Sequence, residues 1–288
     1  MQNYIIATDA TCDLPLEIIQ KLGIVVMPME FIIEENTYNH YPDEREMRIK
    51  DFYNQLALGK ISTTTQINLY AYDSVFSEIL DQGKDILYIS FSSGLSGTFN
   101  ASLLAVNELK ENYSDRKIIS VDSLCASIGE GLLVYLAALK KEEGYSIEQL
   151  KEWIENNRSN INHWFVVNDL ENLKRGGRIN AIQASVGNVL NLKPILSVDE
   201  EGKLISVAKV RGKKKSYQYL LEKLEEGNND KENHTVLVGH ADNEEDANYV
   251  KASILEKKLA KEVIECNIGP IIGSHTGRGM IALTFLNQ

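Results

Sequence analysis

Three hydroxyl- and glycine-rich stretches of this chain carry residue types suited to holding an anion. The first, Ser92-Ser93-Gly94-Leu95-Ser96-Gly97-Thr98, follows the apolar run Ile86 to Phe91 and precedes a helical pattern. A helix N-terminus presents unpaired N–H groups and the positive end of the dipole, and ligands of parallel sheets collect at the carboxyl ends of strands. Glycine lets the backbone approach a ligand closely, and Ser92, Ser93, Ser96 and Thr98 add neutral donors. Plain capping by Ser96 or Thr98 accounts for the same residues. The second stretch, Ser62-Thr63-Thr64-Thr65-Gln66, lies ahead of the helical segment that begins near Leu69, so it reads as capping hydroxyls or as a second donor set. The third, Gly269-Pro270-Ile271-Ile272-Gly273-Ser274-His275-Thr276-Gly277-Arg278-Gly279, reads as a glycine-rich loop between two strands. There His275 can donate to an anion, or exchange protons with it near neutral pH, although a lone loop histidine is usually just a surface residue.

Two basic stretches complete the inventory. Arg175 and Arg178 flank Gly176-Gly177, where arginine can clamp a carboxylate or phosphate bidentately, although a solvated loop explains them equally well. Arg211-Gly212-Lys213-Lys214-Lys215 is the densest positive run in a chain of net charge −11, and suits an acidic or phosphate-bearing partner or a solvated helix start. No G-x-x-x-x-G-K-[ST] loop and no G-x-G-x-x-G fingerprint is present, so neither nucleotide hydrolysis nor a dinucleotide cofactor is expected. Gly94-Leu95-Ser96-Gly97-Thr98 misses the G-x-S-x-G nucleophile elbow by one residue. That near miss keeps an alternative open, a serine-type acyl hydrolase with Ser96 as nucleophile and His275 as base, for which no acid is placed by motif. A sugar- or phosphate-binding regulatory module is a third reading. No H-E-x-x-H or clustered histidine set points to a metal; His40, His163, His234 and His240 are scattered and read as structural or exposed.

The elements that must position these residues alternate. Strand-like runs at Tyr4 to Ala7, Ile24 to Met29, Ile86 to Phe91 and Lys117 to Val121 are separated by helical patterns at Leu14 to Leu22, Asp51 to Leu58, Leu69 to Gln82 and Thr98 to Lys110. A long helix through Ser127 to Lys141 follows. Such alternation implies a parallel sheet wrapped by helices. After the helix Ile147 to Asn157, the polar Arg158-Ser159-Asn160 marks a boundary between an N-terminal α/β domain, residues 1–158, and a C-terminal α+β domain, residues 159–288. The second domain is expected to carry a mixed or antiparallel sheet. It contains a hairpin of Ile195 to Val198 and Leu204 to Val210 around Asp199-Glu200-Glu201-Gly202, and a helix over Ala181 to Leu192. Helices at Lys214 to Glu225 and Glu244 to Leu259 and strands at His163 to Val167, Thr235 to Gly239, Glu262 to Cys266 and Met280 to Phe285 complete it.

A length of 288 residues accommodates two cores, and 43% hydrophobic with 25% charged residues is the balance of a folded protein. The negative net charge argues against nucleic acid as a partner. The N-terminus lacks a basic region and a long apolar run, and nowhere do the roughly 20 apolar residues of a spanning helix occur; Gly131 to Leu139 reads as a buried helix. Three separated cysteines without a C-x-x-C pair fit a reduced, cytoplasmic setting.

In order along the chain, Thr8-Asp9-Ala10-Thr11-Cys12-Asp13-Leu14-Pro15, Thr64-Thr65-Gln66, Ser92 to Thr98, Val121-Asp122-Ser123, Arg175-Gly176-Gly177-Arg178, Lys193-Pro194 and Gly269-Pro270 through His275-Thr276-Gly277 resemble the motifs of the DegV family over essentially the whole chain. That resemblance implies two α/β-type domains holding one long-chain fatty acid. The carboxylate would be bound by the hydroxyls of Thr64 and Ser96, with Thr65, Ser93 and His275 beside them. It further implies a bacterial carrier with no catalytic residue or cofactor of its own, presenting its ligand to a fatty acid kinase that forms acyl phosphate for phospholipid synthesis. Arg211 would dock the partner, and Arg178 would contact partner or phosphate. Thr65 replaces the family's usual serine, Ile67-Asn68 its Pro-Ser, and Arg278 a common proline.

Overall fold

The computed structural model describes residues 3–180, 191–227 and 234–287. Four parallel strands form the first sheet in the order β2-β1-β6-β7: β1 (Tyr4–Asp9), β2 (Val25–Met27), β6 (Asp85–Ser90) and β7 (Ile118–Asp122). Strand β6 is central and almost wholly buried, as a short apolar run without alternation requires. Its carboxyl end delivers the chain into Ser92–Gly97 and then into helix α4 (Thr98–Asn112). The apolar stretch expected to be one strand over Ile24 to Met29 is broken at Pro28. Its second part becomes β3 (Met29–Ile33), which pairs antiparallel with β4 (Asn36–His40) and β5 (Ser62–Thr64) in a separate small sheet. Proline donates no ladder hydrogen bond, so the strand changes sheets there.

The second large sheet is mixed, in the order β10-β9-β8-β13-β11-β12: β8 (Ile161–Val166), β9 (Leu192–Val198), β10 (Leu204–Arg211), β11 (Thr235–His240), β12 (Glu262–Asn267) and β13 (Ile281–Leu286). The expected hairpin is β9 paired antiparallel with β10. Its tip reaches the first sheet: Ser92 Oγ donates to the Gly202 carbonyl at 2.7 Å, and a Cβ at Gly202, whose φ is +73°, would stand 2.1 Å from Ser92 Oγ. Helix α5 (Ile128–Glu142) lies between the two sheets. Its Leu132, Leu133, Val134 and Ala137 are fully buried, so the long apolar run is a core helix. The larger apolar core is continuous from β1 and β6 through α5 to the inner face of β8 and β13. A smaller one lies beneath α8 (Lys213–Gly227) and α9 (Glu244–Glu256) on the outer face. The 158/159 boundary falls within the short 3-10 turn Arg158–Asn160, directly before β8.

Two segments read as loops are helical. Glu171–Arg175 is the short helix α7, and Pro270–Thr276 is α10, with Pro270 in its first turn, where the missing N–H has no partner to lose. Conversely, Ser62 to Thr64 is strand β5 and not a helix cap. Helix α3 (Leu69–Asp81) is capped by Asn68, whose Oδ1 accepts from Ala71 N at 2.9 Å. The helix expected over Ala181 to Leu192 falls mostly on 181–190, outside the described residues, and Leu192 begins β9. No helix among the described residues is long and apolar enough to cross a membrane.

Candidate functional site

A cavity of about 160 Å³ lies between the inner face of the mixed sheet and the carboxyl end of β6. Apolar side chains make most of its wall: Met29 and Phe91 on one side, Phe165 and Ala282 from β8 and β13, Val198 and Leu204 from the hairpin, Ile271 and Ile272 from α10. Thr64, Thr65, Ser96, Arg178 and His275 all line it, so residues from four separated stretches of sequence meet at one space.

Thr64 ends β5, where it pairs with Phe31 of β3, and its Oγ1 stands 2.8 Å from Nε2 of His275 in the last turn of α10. The helix is tied to that strand by the hydroxyls of Ser62 and Ser274, 2.7 Å apart, and Tyr53 of helix α2 (Ile49–Ala57) donates to the Ile268 carbonyl at 2.8 Å just ahead of it. The other face of the imidazole abuts Gly176: a Cβ there would lie 2.2 Å from Nδ1, so only glycine admits the ring. His275 Nδ1 is buried without a partner. Burial, with Arg178 and Arg175 nearby, pushes the ring's pKa down to about 4. The sequence suggested proton exchange near neutral pH; a desolvated ring beside two cations is instead neutral there.

On the opposite side, Ser96 Oγ accepts from Thr98 N at 3.2 Å and lies 2.9 Å from Thr98 Oγ1, so local capping and cavity lining coexist in one residue. Arg178 is half-buried, donating through Nε to the Leu95 carbonyl at 3.2 Å and through its guanidinium to Gly176. It therefore braces the Ser96 loop from within the cavity wall, where the sequence had equally suggested a solvated loop. Ser93 departs from the expected donor set: its side chain is exposed and outside the cavity lining, because its N–H is turned toward Asp122 Oδ1 at 3.1 Å. For the hydrolase alternative, Ser96 and His275 share the cavity, but the imidazole's hydrogen-bond partner is Thr64 and that of Ser96 is Thr98.

His163, read from sequence as structural or exposed, is buried and also lines the cavity. Its Nδ1 donates to Ile161 O at 3.0 Å, its Nε2 accepts from Ala126 N at 3.3 Å, and burial holds its pKa down at about 4. His40, His234 and His240 are buried as well. The period-two alternation Ile161, His163, Phe165 was the available signal for an inward-facing histidine. Thr11 and Ser127 complete the polar wall. Arg211 lies elsewhere, exposed at the end of β10, with exposed Lys213, Lys214 and Lys215 opening α8. No group of three or more histidine, cysteine or acidic side chains suited to a metal occurs among the described residues.

A family model described as an uncharacterised protein of the DegV family matches residues 4–288. The chain belongs to the DegV family. A DegV domain-containing protein of Clostridium perfringens is 40% identical over 100% of this chain and 99% of its own length, and the DegV domain-containing protein YteA of Lactococcus lactis is 36% identical over 99% and 98%. Among solved structures, a DegV family protein of Thermus thermophilus with fatty-acid binding superposes with a TM-score of 0.90 at 28% identity, over 100% of both chains. The DegV fatty acid binding protein of Bacillus subtilis gives 0.86 at 27% identity, again over 100% of both chains. A parallel sheet and a mixed sheet in one chain are thus the DegV architecture.

Proposed function

We propose that this chain binds one long-chain fatty acid and presents it to a fatty acid kinase, making no covalent change itself. The acyl tail would fill the apolar cavity, and the carboxylate would meet Thr64 and Ser96 beside His275 and Arg178; Thr65, also expected as a donor, is exposed and its hydroxyl donates to Glu30 Oε2 at 3.0 Å. The observation that carries this reading is the Thr64–His275 pair at 2.8 Å on the wall of a mainly apolar cavity. Buried donors seldom lack a partner, and Nδ1 of His275 faces none, so the proton belongs on Nε2 and is donated to Thr64 Oγ1. The threonine O–H is thereby left to point at a ligand oxygen. Arg178 adds a positive charge without any need for His275 to titrate.

Roughly 15 buried methylenes at about 0.8 kcal/mol each contribute near 12 kcal/mol gross, well above the one or so that a neutral head-group hydrogen bond supplies. The tail supplies affinity and the head orients the ligand. The kinase partner rests on the family resemblance and on the exposed basic run from Arg211 to Lys215, which suits an acidic or phosphate-bearing surface. Native mass spectrometry of the purified chain is expected to show one fatty acid, removable by delipidation and restored by added palmitate. A chain that takes up no palmitate, or a turnover of activated ester abolished by Ser96→Ala, overturns the proposal.

A further inference from the structure

Two buried acids, Asp9 and Glu130, play no part in the proposed fatty-acid binding. Asp9, at the end of β1, is fully enclosed and accepts hydrogens from the Thr11 hydroxyl, Thr11 N (3.1 Å), Tyr88 Oη (3.1 Å) and Phe91 N (3.0 Å). Glu130, in the first turn of α5 and equally enclosed, accepts from Thr8 Oγ1 at 2.9 Å and places its other oxygen 2.6 Å from Thr11 Oγ1. Thr11 therefore stands between two carboxyl groups with a single hydroxyl hydrogen. Two close oxygen contacts need two hydrogens, and the second must come from an acid. Asp9 already has three donors besides that hydroxyl, whereas Glu130 has only Thr8, so the charge belongs on Asp9 and the proton on Glu130.

The titratable groups facing Glu130 are Asp9 from β1, Cys12 and Asp13 after it, Cys125 ahead of α5, Tyr72 from α3 and Tyr88 from β6. His163 of β8, packed against Gly129, is neutral. None is a cation. Burial and the Asp9 charge accordingly push the Glu130 carboxyl well above its usual range.

The chain of contacts leads to the ligand cavity. Phe91 N–H, held by Asp9, begins the Ser92–Gly97 loop. At the loop's far end Tyr72, 3.0 Å from Tyr88, donates to the Thr98 carbonyl at 3.1 Å. Thr11 itself lines the cavity. We propose that Glu130 is a positioning residue that works as an un-ionised acid: it donates to Thr11, Thr11 donates to ionised Asp9, and Asp9 holds the Ser92–Gly97 loop in place. The carboxyl pair behind Thr11 of the cavity wall then carries one negative charge instead of two near an anionic ligand, a consequence that rests on the fatty-acid reading.

Infrared spectra of the full chain test the proton directly. At about pH 7 the wild type is expected to show the carbonyl band of an un-ionised carboxyl that Glu130→Gln removes; a spectrum in which that substitution removes no such band overturns the proposal. Urea unfolding gives a second reading. A folded-state pKa raised above the unfolded value means that the stability Glu130 contributes is full below about pH 4.5 and is lost as pH rises. Glu130→Gln should thus gain on wild type steadily as pH rises above about 5, and a pH-independent difference would show ordinary titration and refute the assignment. Neither arm needs a ligand, so both stand apart from the fate of the fatty-acid reading. For positioning, Glu130→Ala should weaken palmitate binding about tenfold and Glu130→Gln should restore it to within about twofold. Equal losses in both variants would mean that the group acts as an anion.

Discussion

Cationic and hydroxyl side chains gather in two places in this molecule, and their surroundings are opposite. At the cavity, Arg178 is half-buried, His275 is neutral, and each has a fixed backbone or side-chain neighbour. At the β10–α8 junction, Arg211 and Lys213 to Lys215 stand in water, and Lys213 reaches Asp246 at 2.6 Å across an exposed surface. Similar residue types thus serve different ends. A desolvated donor set is rigid and penalises any ligand that fails to match it, whereas an exposed run of charge adds little to a static complex, steers encounter and is screened by salt.

The largest effect expected from this contrast comes from blocking the tail. Ala282→Phe places a ring in the cavity from the inner face of β13, and displacing about four methylenes at about 0.8 kcal/mol each should weaken palmitate binding roughly a hundredfold or more. Titration with a fluorescent fatty acid reads this; near-normal affinity would remove the cavity from the argument. Next in size is Thr64→Val, which takes away the hydroxyl proposed to face the ligand and strands the Nε2–H of His275. A loss of about ten- to a hundredfold is expected in the same titration, and an unaltered affinity would show that the carboxylate lies elsewhere.

A third effect separates the two regions by pH. The His275 pKa is lowered in the folded state, so below the usual histidine value the unfolded chain takes up a proton that the folded chain refuses, and stability falls as pH drops. The wild type should lose up to about 1.4 kcal/mol per pH unit relative to His275→Gln between roughly pH 6.5 and 4. Comparison with the variant is needed because His40 and His163, also pushed down to about 4, add to the slope while the raised Asp13 opposes it. Parallel unfolding curves would place His275 in water. The smallest effect is that of Arg211→Ala. Fatty-acid affinity should stay within about twofold, and binding to the proposed kinase partner should weaken by about fivefold at low salt and less at high salt. Loss of fatty-acid retention in that variant would put Arg211 in the pocket and erase the contrast.

The alternation of apolar runs with helical patterns was enough to read a parallel sheet followed by a mixed or antiparallel one, because side-chain period and strand length are local properties of the chain; that the second sheet is mixed came only with the parallel β11–β12 pairing. Local chemistry also marked Thr64, Ser96, Arg178 and His275 as residues of interest, since hydroxyls, glycines and cations in short stretches have few uses. What it left undecided was conformation and environment. Ser62 to Thr64 looked like a cap and is a strand because β3 offers it a partner; Pro270 to Thr276 looked like a loop and is a helix whose Gly273 fits closely against Tyr53 and Phe52. Ser93 and Ser96 are indistinguishable in the sequence, yet only Ser96 faces the cavity. The neutral state of His275 and the single proton between Glu130 and Asp9 depend on neighbours 97 and 121 residues away in sequence, Arg178 and Asp9 respectively. Motif and period are written along the chain, but desolvation and hydrogen-bond count exist only once distant segments have packed together.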